Sequence, residues 1–496
     1  MIRRLELAKN IKWVYILAFT FICVNALCIY FENYYINLVP VALLIVLLAI
    51  YALDKLILFV VFLTPLAINL QHLEGGLGLS LPTEPIIFGI MVLFILKQMQ
   101  ESTLDSKMMR HPITIAIILY LCWIFIASLT SELPIVSLKF LISRLWYILV
   151  FYFLGVQLFR DPKNMKRFIW LYCSAFVLVI FYTIGNHAHY GFEKEPANYV
   201  MSPFYNDHTV YGAMLAMFLP AMLFFTVNKK YSAMIKFMAT IVFGIFVVAL
   251  ILSYSRAAWL SLVVSFAIFI VLLMRVKFNF ILFVFACMAI VALVFRTEIK
   301  LSLEQNRQDA SEDFNKNIQS ISNISTDASN LERLNRWSAA LRMFEERPVF
   351  GWGPGTYALV YAPFQQVQEK TIISTNLGNG GTAHSEYLGP LSEAGVLGVV
   401  TFVAIVICVL STAFRLYYTI AESETKWIVL VLLLGFVSYI VHGAINNFLD
   451  TDKASVPFWG FIAMLVAIDL YHSKSVEKDP VKEKVTGAAL VNEPLH

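Results

Sequence analysis

The stretch AHSEYL at residues 383–388 places a histidine where a polar segment meets an apolar one. Imidazole titrates near neutral pH, so His384 can take a proton from an attacking hydroxyl group. Taken alone, such a histidine is more often structural, but its place at the end of one long polar segment favours a functional role. The sequence therefore predicts His384 as a catalytic base, with Glu386 as a weaker candidate for substrate binding.

Basic residues in or between apolar stretches are a second set of candidates, because charge inside a membrane is costly. Arg256 occupies a tight turn in SYSRAAWL at residues 253–260. Lys139 and Arg144 lie within one apolar stretch. A guanidinium group holds phosphate oxygens through two parallel hydrogen bonds, which a lysine cannot do. We expect Arg256 and Arg144 to bind phosphate groups and Lys139 to contribute less. The alternatives are lipid head groups for Arg256, snorkelling for Lys139 and a structural ion pair for Arg144.

Histidines in polar segments raise the question of a metal site. His187, His189 and the Asp207-His208 pair are candidate metal ligands, but a His-x-His pattern is unspecific. We therefore predict neither a metal site nor a cofactor. Asp207 and His208 remain weaker candidates for substrate binding.

Two more polar segments have a structural alternative. Asn446, Asn447, Asp450 and Lys453 follow an apolar stretch and could bind a sugar or cap a helix, so Asn446 is a weaker candidate for substrate binding. The glycines of GWGPG at residues 351–355 lack the strand–loop–helix context of a phosphate loop, so a turn is expected.

The composition shows which elements must position these residues. Of 496 residues, 59% are hydrophobic and only 14% are charged, whereas a soluble domain carries about 25% charged residues. Soluble enzymes, nucleic-acid-binding modules and secreted disulfide scaffolds are excluded. The six cysteines lie in apolar runs, which is typical of small buried side chains.

The apolar stretches predict an all-α, polytopic membrane protein with about 12–14 transmembrane helices. Fourteen candidate spans lie near residues 13–30, 38–53, 56–70, 85–96, 112–129, 136–156, 168–184, 210–227, 234–253, 257–274, 278–295, 387–413, 427–445 and 456–471. If each span crosses the membrane, most of the 37 basic residues fall on the side of the N-terminus. The positive-inside rule then places both termini in the cytoplasm.

One long polar segment, residues 296–386, interrupts the spans and is predicted to lie outside the cytoplasm. A connection of this length is usually functional. Residues 331–346 read as an amphipathic helix with Leu334, Trp337, Leu341 and Phe344 on its apolar face. The expected organisation is an N-terminal membrane region at 1–295, the loop at 296–386, a C-terminal membrane region at 387–471 and a disordered cytoplasmic tail at 472–496.

The order of these motifs resembles the O-antigen ligase and polymerase superfamily of bacterial membrane glycosyltransferases. The resemblance is carried by SYSRAAWL, by an Arg-Trp helix running into RPVFGWGPGTY, and by AHSEYLGPLSEAGVLG. PFYNDH at residues 203–208 adds to it, so that it covers roughly residues 200–460. The family often has His-Asn where this chain has His384-Ser385.

The resemblance implies a metal-independent, inverting glycosyltransferase of the GT-C type at the periplasmic face of the bacterial cytoplasmic (inner) membrane. Its donor would be a glycan on undecaprenyl diphosphate. Its acceptor would be lipid A-core, another glycan or a protein hydroxyl; membrane lipids would surround it, and no nucleic acid is implied. His384 takes the place of the family's loop histidine, and Arg256 and Arg336 take those of its arginines. With Arg144, these arginines are expected to hold the diphosphate.

Several alternatives stay open. A ligase is ranked first, but an O-antigen polymerase and a protein O-oligosaccharyltransferase fit the same residues. A flippase or transporter for lipid-linked glycans is the alternative from another class. It is disfavoured because the sequence shows no paired repeats with interrupted helices.

Overall fold

The computed structural model describes residues 2–32, 34–70, 79–101, 104–280, 283–284, 287, 328–366, 381–421 and 424–473. Within these ranges the regular structure is helical, apart from one two-stranded antiparallel hairpin. The chain forms two compact units, residues 1–60 and 61–496. The prediction of an all-α, polytopic membrane fold is confirmed.

The first unit consists of α1 (Ile2–Tyr30), α2 (Leu38–Tyr51) and the beginning of α3 (Leu53–Leu63), with a short 3-10 turn at Tyr35–Asn37. Large apolar side chains such as Phe19 and Leu43 are exposed along these helices. Surfaces of this kind suit contact with lipid rather than water.

The second unit contains the rest of the chain, and its membrane helices follow one another by short connections up to α12. Its elements are β1 (Ile68–Leu70), β2 (Leu79–Leu81), α4 (Thr83–Gln100), α5 (Ser106–Met109), α6 (Pro112–Leu129), α7 (Pro134–Tyr147), a π-helical stretch (Ile148–Leu154), α8 (Gly155–Leu158), α9 (Pro162–His189), α10 (His208–Val227), α11 (Ala233–Leu252), α12 (Arg256–Leu273), α13 (Ala328–Glu346), α14 (Tyr357–Val360), α15 (Leu388–Thr419), α16 (Glu424–His442), α17 (Asp452–Ala467) and a final π-helical stretch (Ile468–His472). Short 3-10 turns lie at Thr64–Leu66, Pro196–Asn198 and Ala362–Phe364.

Ten helices among the described residues are long and apolar enough to cross a membrane, and two shorter apolar helices lie at Tyr15–Tyr30 and Tyr35–Tyr51. The span expected at 56–70 is not a continuous helix. α3 ends at Leu63, and a turn containing Pro65 leads into β1, because proline lacks the amide hydrogen that would continue the helix. Most of the span expected at 278–295 lies outside the described residues.

Helix α17 forms the centre of the second unit. All of its residues from Asp452 to Ala467 are buried, and glycines allow close packing around it. A Cβ atom on Gly460 would collide with the ring of Phe168. Between α16 and α10, a Cβ atom on Gly435 would collide with the carbonyl of Met217. Small residues of this kind let membrane helices approach closely.

Helix α13 confirms the amphipathic helix expected at residues 331–346, but its buried face differs from the predicted one. Leu341 is exposed. The buried positions include polar residues and are Glu332, Asn335, Arg336, Ala339, Ala340 and Met343. Apolar periodicity misidentified this face because two of its polar side chains are buried as a pair: Arg336 donates to Glu332 at 2.9 Å.

The glycine-rich segment 351–355 is a turn that packs on a kink in α15. Gly395 breaks that helix with φ +67°. The amide of Trp352 donates to the carbonyl of Ser392 at 3.1 Å, and the amide of Gly353 donates to that of Glu393 at 2.7 Å. A Cβ atom on Gly351 would collide with the Glu393 backbone. The turn therefore satisfies carbonyl groups that the kink leaves without helical partners.

Candidate functional site

A cavity of about 360 Å³ lies where several helix ends meet. Its walls come from β1, from residues 204–210 before and at the start of α10, from 381–384 before α15, and from 446–453 between α16 and α17. These segments are far apart in the sequence, but the order of crossings places them at the same end of the bundle. The volume falls within the usual range for small-molecule sites.

His384 lines this cavity and is half-buried. Its backbone has φ +47°, which is uncommon for a residue other than glycine. Two hydrogen bonds hold the backbone: Trp337 Nε1 donates to the His384 carbonyl at 3.4 Å, and the His384 amide donates to Thr382 Oγ1 at 3.3 Å. No described residue forms a hydrogen bond with its imidazole, so the ring remains available to a ligand.

The surroundings of His384 keep its imidazole neutral. Burial lowers its pKa to about 4, and the positive charges of Arg336 and Arg333 act in the same direction. Asp207 and Glu332 oppose this effect more weakly. At neutral pH the ring therefore has a nitrogen lone pair with which to accept a proton or a hydrogen bond.

Arg336 holds the segment that carries His384. Its Nε donates to Glu332 at 2.9 Å and its Nη1 donates to the Thr382 carbonyl at 3.1 Å. The guanidinium carbon lies 5.5 Å from the ring centre of Tyr361. A guanidinium group has five N–H donors, so these two bonds leave others for an anion.

Asp207 caps the start of α10 and also lines the cavity. Its Oδ1 accepts from the amides of Thr209 and Val210 at 2.7 and 3.1 Å. Its Oδ2 accepts no hydrogen bond from any residue that the structure describes. Asp207 interacts electrostatically with His384 and with His208. The structure thus brings Asp207 and His384 to one cavity, although the sequence analysis selected them separately.

Arg256 begins α12 and its side chain is exposed. It interacts electrostatically with His208, which follows the cavity-lining Asp207 directly. Arg256 is not among the described residues that line the cavity. Arg256 therefore lies near the cavity, at its edge, rather than in its wall.

Arg144 forms part of the support of the cavity wall. It is buried on α7, with Nη1 donating to the Leu449 carbonyl at 2.6 Å and Nη2 donating to Asp450 at 2.8 Å. The structural ion pair considered from the sequence is present, and it holds the segment between α16 and α17. The assignment of Arg144 to a diphosphate remains a prediction.

Glu386 supports the same segment through its carboxylate group. One carboxylate oxygen accepts from the hydroxyl of Tyr439 at 2.9 Å and from the amides of Phe448 and Leu449 at 2.7 and 2.9 Å. Burial raises the pKa of this carboxyl group. Through this oxygen Glu386 holds the cavity wall, two residues after His384.

The remaining candidates separate into two groups. Lys139 is exposed on α7 and does not line the cavity. Asn446 is buried and does line it.

The histidines considered for a metal site have other surroundings. His187 contacts the carbonyl of Glu193 at 2.7 Å. The described residues contain no group of three or more potential ligands arranged for a metal ion.

Two residues near the cavity were not selected from the sequence. Arg333 interacts electrostatically with His384, His208 and His442. His442 is fully buried at the end of α16. The sequence contains a feature that could have indicated each residue. Arg333 precedes Arg336 by three residues and so shares its helix face. His442 lies in an apolar run, where a histidine is unusual.

Several of these residues lie in a segment that is similar to a known family. Residues 241–403 match the family model described as O-antigen ligase. We call residues 241–403 the O-antigen ligase segment, after the family that they resemble. The O-antigen ligase segment includes Arg256, Arg333, Arg336 and His384, while Asp207 and Asn446 come from outside it. No curated protein matches the chain significantly. The ten candidate spans among the described residues support a multi-pass membrane protein.

Proposed function

We propose that this protein is an O-antigen ligase-like glycosyltransferase that moves a glycan from undecaprenyl diphosphate to an acceptor hydroxyl group. The reaction takes place on the periplasmic face of the bacterial cytoplasmic membrane, with lipid A-core oligosaccharide as the first-ranked acceptor. The observation that carries this proposal is the neutral His384 imidazole in a cavity shared with Asp207, beside Arg333 and Arg336, within an O-antigen ligase segment.

The arginines account for the leaving group. When the acceptor oxygen attacks the anomeric carbon of the donor sugar, the bond from that carbon to the diphosphate oxygen breaks and its electron pair goes to the diphosphate. Positioned cations stabilise this charge as it develops. Arg336 has guanidinium N–H groups that no described residue uses, and Arg256 is exposed at the edge of the site. We assign these two residues to the diphosphate, with Arg144 holding the wall behind it.

His384 accounts for the proton. The attacking hydroxyl group gives its proton to the neutral imidazole while the new glycosidic bond forms on the face opposite the departing diphosphate, which inverts the configuration. The low pKa of His384 results partly from the charges of Arg336 and Arg333. A bound diphosphate offsets these charges and raises the pKa, so that His384 becomes a stronger base once the donor is in place.

The experiment that tests this assignment compares variants in a strain that lacks the gene. We expect His384→Ala to lower transfer by about 10²–10⁴-fold, the usual contribution of a general base. His189→Ala is the matched control, because His189 is exposed and lies outside the cavity. Arg256→Lys should lower transfer while keeping the charge, because lysine lacks the two-pronged donor geometry. Full activity of His384→Ala would refute the assignment.

The acceptor is identified by the products that disappear on deletion of the gene. Loss of all long-chain lipopolysaccharide identifies a ligase. Lipopolysaccharide with a single repeat identifies a polymerase, and unglycosylated proteins with normal lipopolysaccharide identify a protein O-oligosaccharyltransferase. Purified protein that moves the donor across vesicles without forming a glycosidic bond would instead support the flippase alternative.

A further inference from the structure

The part of the cavity formed by β1 and by residues 446–453 contains buried polar atoms without partners. They are Asn69 Oδ1, Asn446 Nδ2 and Asp452 Oδ1, and none of them has a hydrogen bond among the described residues. All three residues line the cavity. A buried polar group without a hydrogen-bond partner destabilises the folded state. Because these three atoms belong to residues that line one cavity, a ligand there is well placed to supply hydrogen bonds. We call these three residues the cavity floor.

Neighbouring side chains hold Asp452, one residue of the cavity floor, in place. Asp452 Oδ2 accepts a hydrogen bond from Thr83 Oγ1 at 2.6 Å and lies 3.6 Å from Lys453 Nζ. Because one carboxylate oxygen is held in this way, the position of the buried, unpaired Oδ1 atom is also fixed. Preorganised groups of this kind are what a specific binding site requires.

Lys453 fixes the hairpin side of the floor. Its Nζ donates to the carbonyls of Thr64 and Ala67, the second at 2.7 Å. Ala67 comes two residues before Asn69, so this contact anchors the strand that carries the asparagine. With Asp452 nearby as well, the three N–H groups of Lys453 are occupied. The lysine is therefore a support, and no free cation of the floor is available to a phosphate group.

The three unpaired atoms favour one class of ligand through their hydrogen-bonding chemistry. Two of them accept hydrogen bonds and one donates, and a hydroxyl group can do both. Phosphate oxygens would meet two acceptors here, whereas the arginines lie around His384. Phe204, Tyr205 and Phe448 line the same cavity and add apolar surface, as is usual in small-molecule sites.

We propose that Asn69, Asn446 and Asp452 form a subsite for an uncharged sugar ring, held by its hydroxyl groups. This inference rests on the proposed function for the biological source of the ring, which is either the first sugar of the donor or the sugar of the acceptor that carries the attacking hydroxyl. One hydrogen bond connects this subsite to the segment of His384: the hydroxyl of Thr382, two residues before His384, donates to Asn447, the neighbour of Asn446.

The test measures sugar binding without catalysis. Full-length protein in lipid nanodiscs is mixed with methyl glycosides of neutral hexoses and N-acetylhexosamines, and binding is followed by saturation-transfer NMR. We expect at least one of these sugars to bind the unaltered protein and the His384→Ala variant. Asn69→Ala and Asn446→Ala should weaken binding about tenfold, as expected for the loss of one well-placed hydrogen bond.

The matched control is Asn198→Ala, because Asn198 is exposed and does not line the cavity. It should bind the sugar as the unaltered protein does. Asn69→Ala alters a partly exposed hairpin rather than a helix core, so it keeps the test valid if Asn446→Ala fails to fold. Absence of binding for the whole panel, or unchanged binding by a folded Asn69→Ala or Asn446→Ala variant, would overturn the subsite.

A second arm identifies the source of the ring. A polyprenyl diphosphate that carries the bound sugar is added to the complex. Displacement of the free glycoside assigns the floor to the donor sugar, and simultaneous binding of both assigns it to the acceptor. If His384→Ala binds sugar but remains fully active in transfer, the proposed role of His384 fails while the subsite stands.

Discussion

The guanidinium group of Arg336 lies so close to the backbone of Gly381 that a Cβ atom at residue 381 would overlap it. Gly381 has φ +93°, a conformation that favours glycine. Arg336 also donates to the carbonyl of Thr382. The arginine on α13 and the glycine before α15 therefore fix together the short segment that ends in His384.

This relationship predicts that Gly381→Ala inactivates the protein without unfolding it. The methyl group must displace either the Arg336 guanidinium or the segment itself, and a displacement of about 1 Å costs on the order of 10²-fold in rate. Glycan transfer in membranes is the measurement. Gly389→Ala is the control, because a Cβ atom there makes only an ordinary contact of 3.9 Å with Ala383. Equal activity of the two variants would show that the contact does not matter.

The pKa of His384 predicts how transfer depends on pH. The active form is the neutral imidazole, so kcat/KM should stay constant from neutral pH down to about pH 5 and fall as pH approaches the pKa of about 4. The acidic limb of kcat should lie at higher pH, because the bound diphosphate raises the pKa. Initial rates over this pH range decide the matter.

Arg333→Ala provides the internal control for the pH profile. Removing a cation that lowers the pKa of His384 should move the acidic limb of kcat/KM to higher pH. A limb that stays in place in this variant, or one near the ordinary imidazole value of about 6.5 in the unaltered protein, would contradict the electrostatic explanation.

Glu386 is predicted to act through the wall of the cavity rather than by touching substrate. Glu386→Gln keeps an oxygen that can accept from Tyr439, Phe448 and Leu449, so activity should stay within about tenfold of the original. Glu386→Ala leaves three buried donors without an acceptor and should lower both the melting temperature and activity. If Glu386→Gln is inactive but as stable as the original, the carboxylate has a direct role in binding or catalysis.

Arg144 and Lys139 are both cations of α7, and the structure predicts different results for them. Arg144→Ala removes donors from the Leu449 carbonyl and Asp450 and should lower the free energy of unfolding by about 1–3 kcal/mol. Lys139→Ala alters an exposed side chain and should change it by less than about 0.5 kcal/mol. Chemical denaturation in detergent measures both. Equal stability of the two variants would show that Arg144 does not stabilise the cavity wall.

Composition and hydropathy were sufficient to predict the all-α membrane fold, because lipid requires long apolar helices whose backbone groups are satisfied internally. Motif order was sufficient to predict a resemblance to the superfamily, and the match of residues 241–403 to the O-antigen ligase family supports it. The helix at 331–346 was also predictable from its periodicity. Its buried face was not, since Glu332 and Arg336 are buried as a pair, and local hydropathy does not register such partners.

The site itself depended on tertiary structure. Sequence spacing cannot show that Asp207 and Asn446 meet His384 in one cavity, because they lie on segments separated by long helices. Nor can it distinguish the buried Arg144, paired with Asp450, from the exposed Lys139 on the same helix. Residue types supplied the candidates for chemistry. Which of them face a ligand and which support its walls was decided by packing, since burial and the nearest partner determine what a charged side chain does.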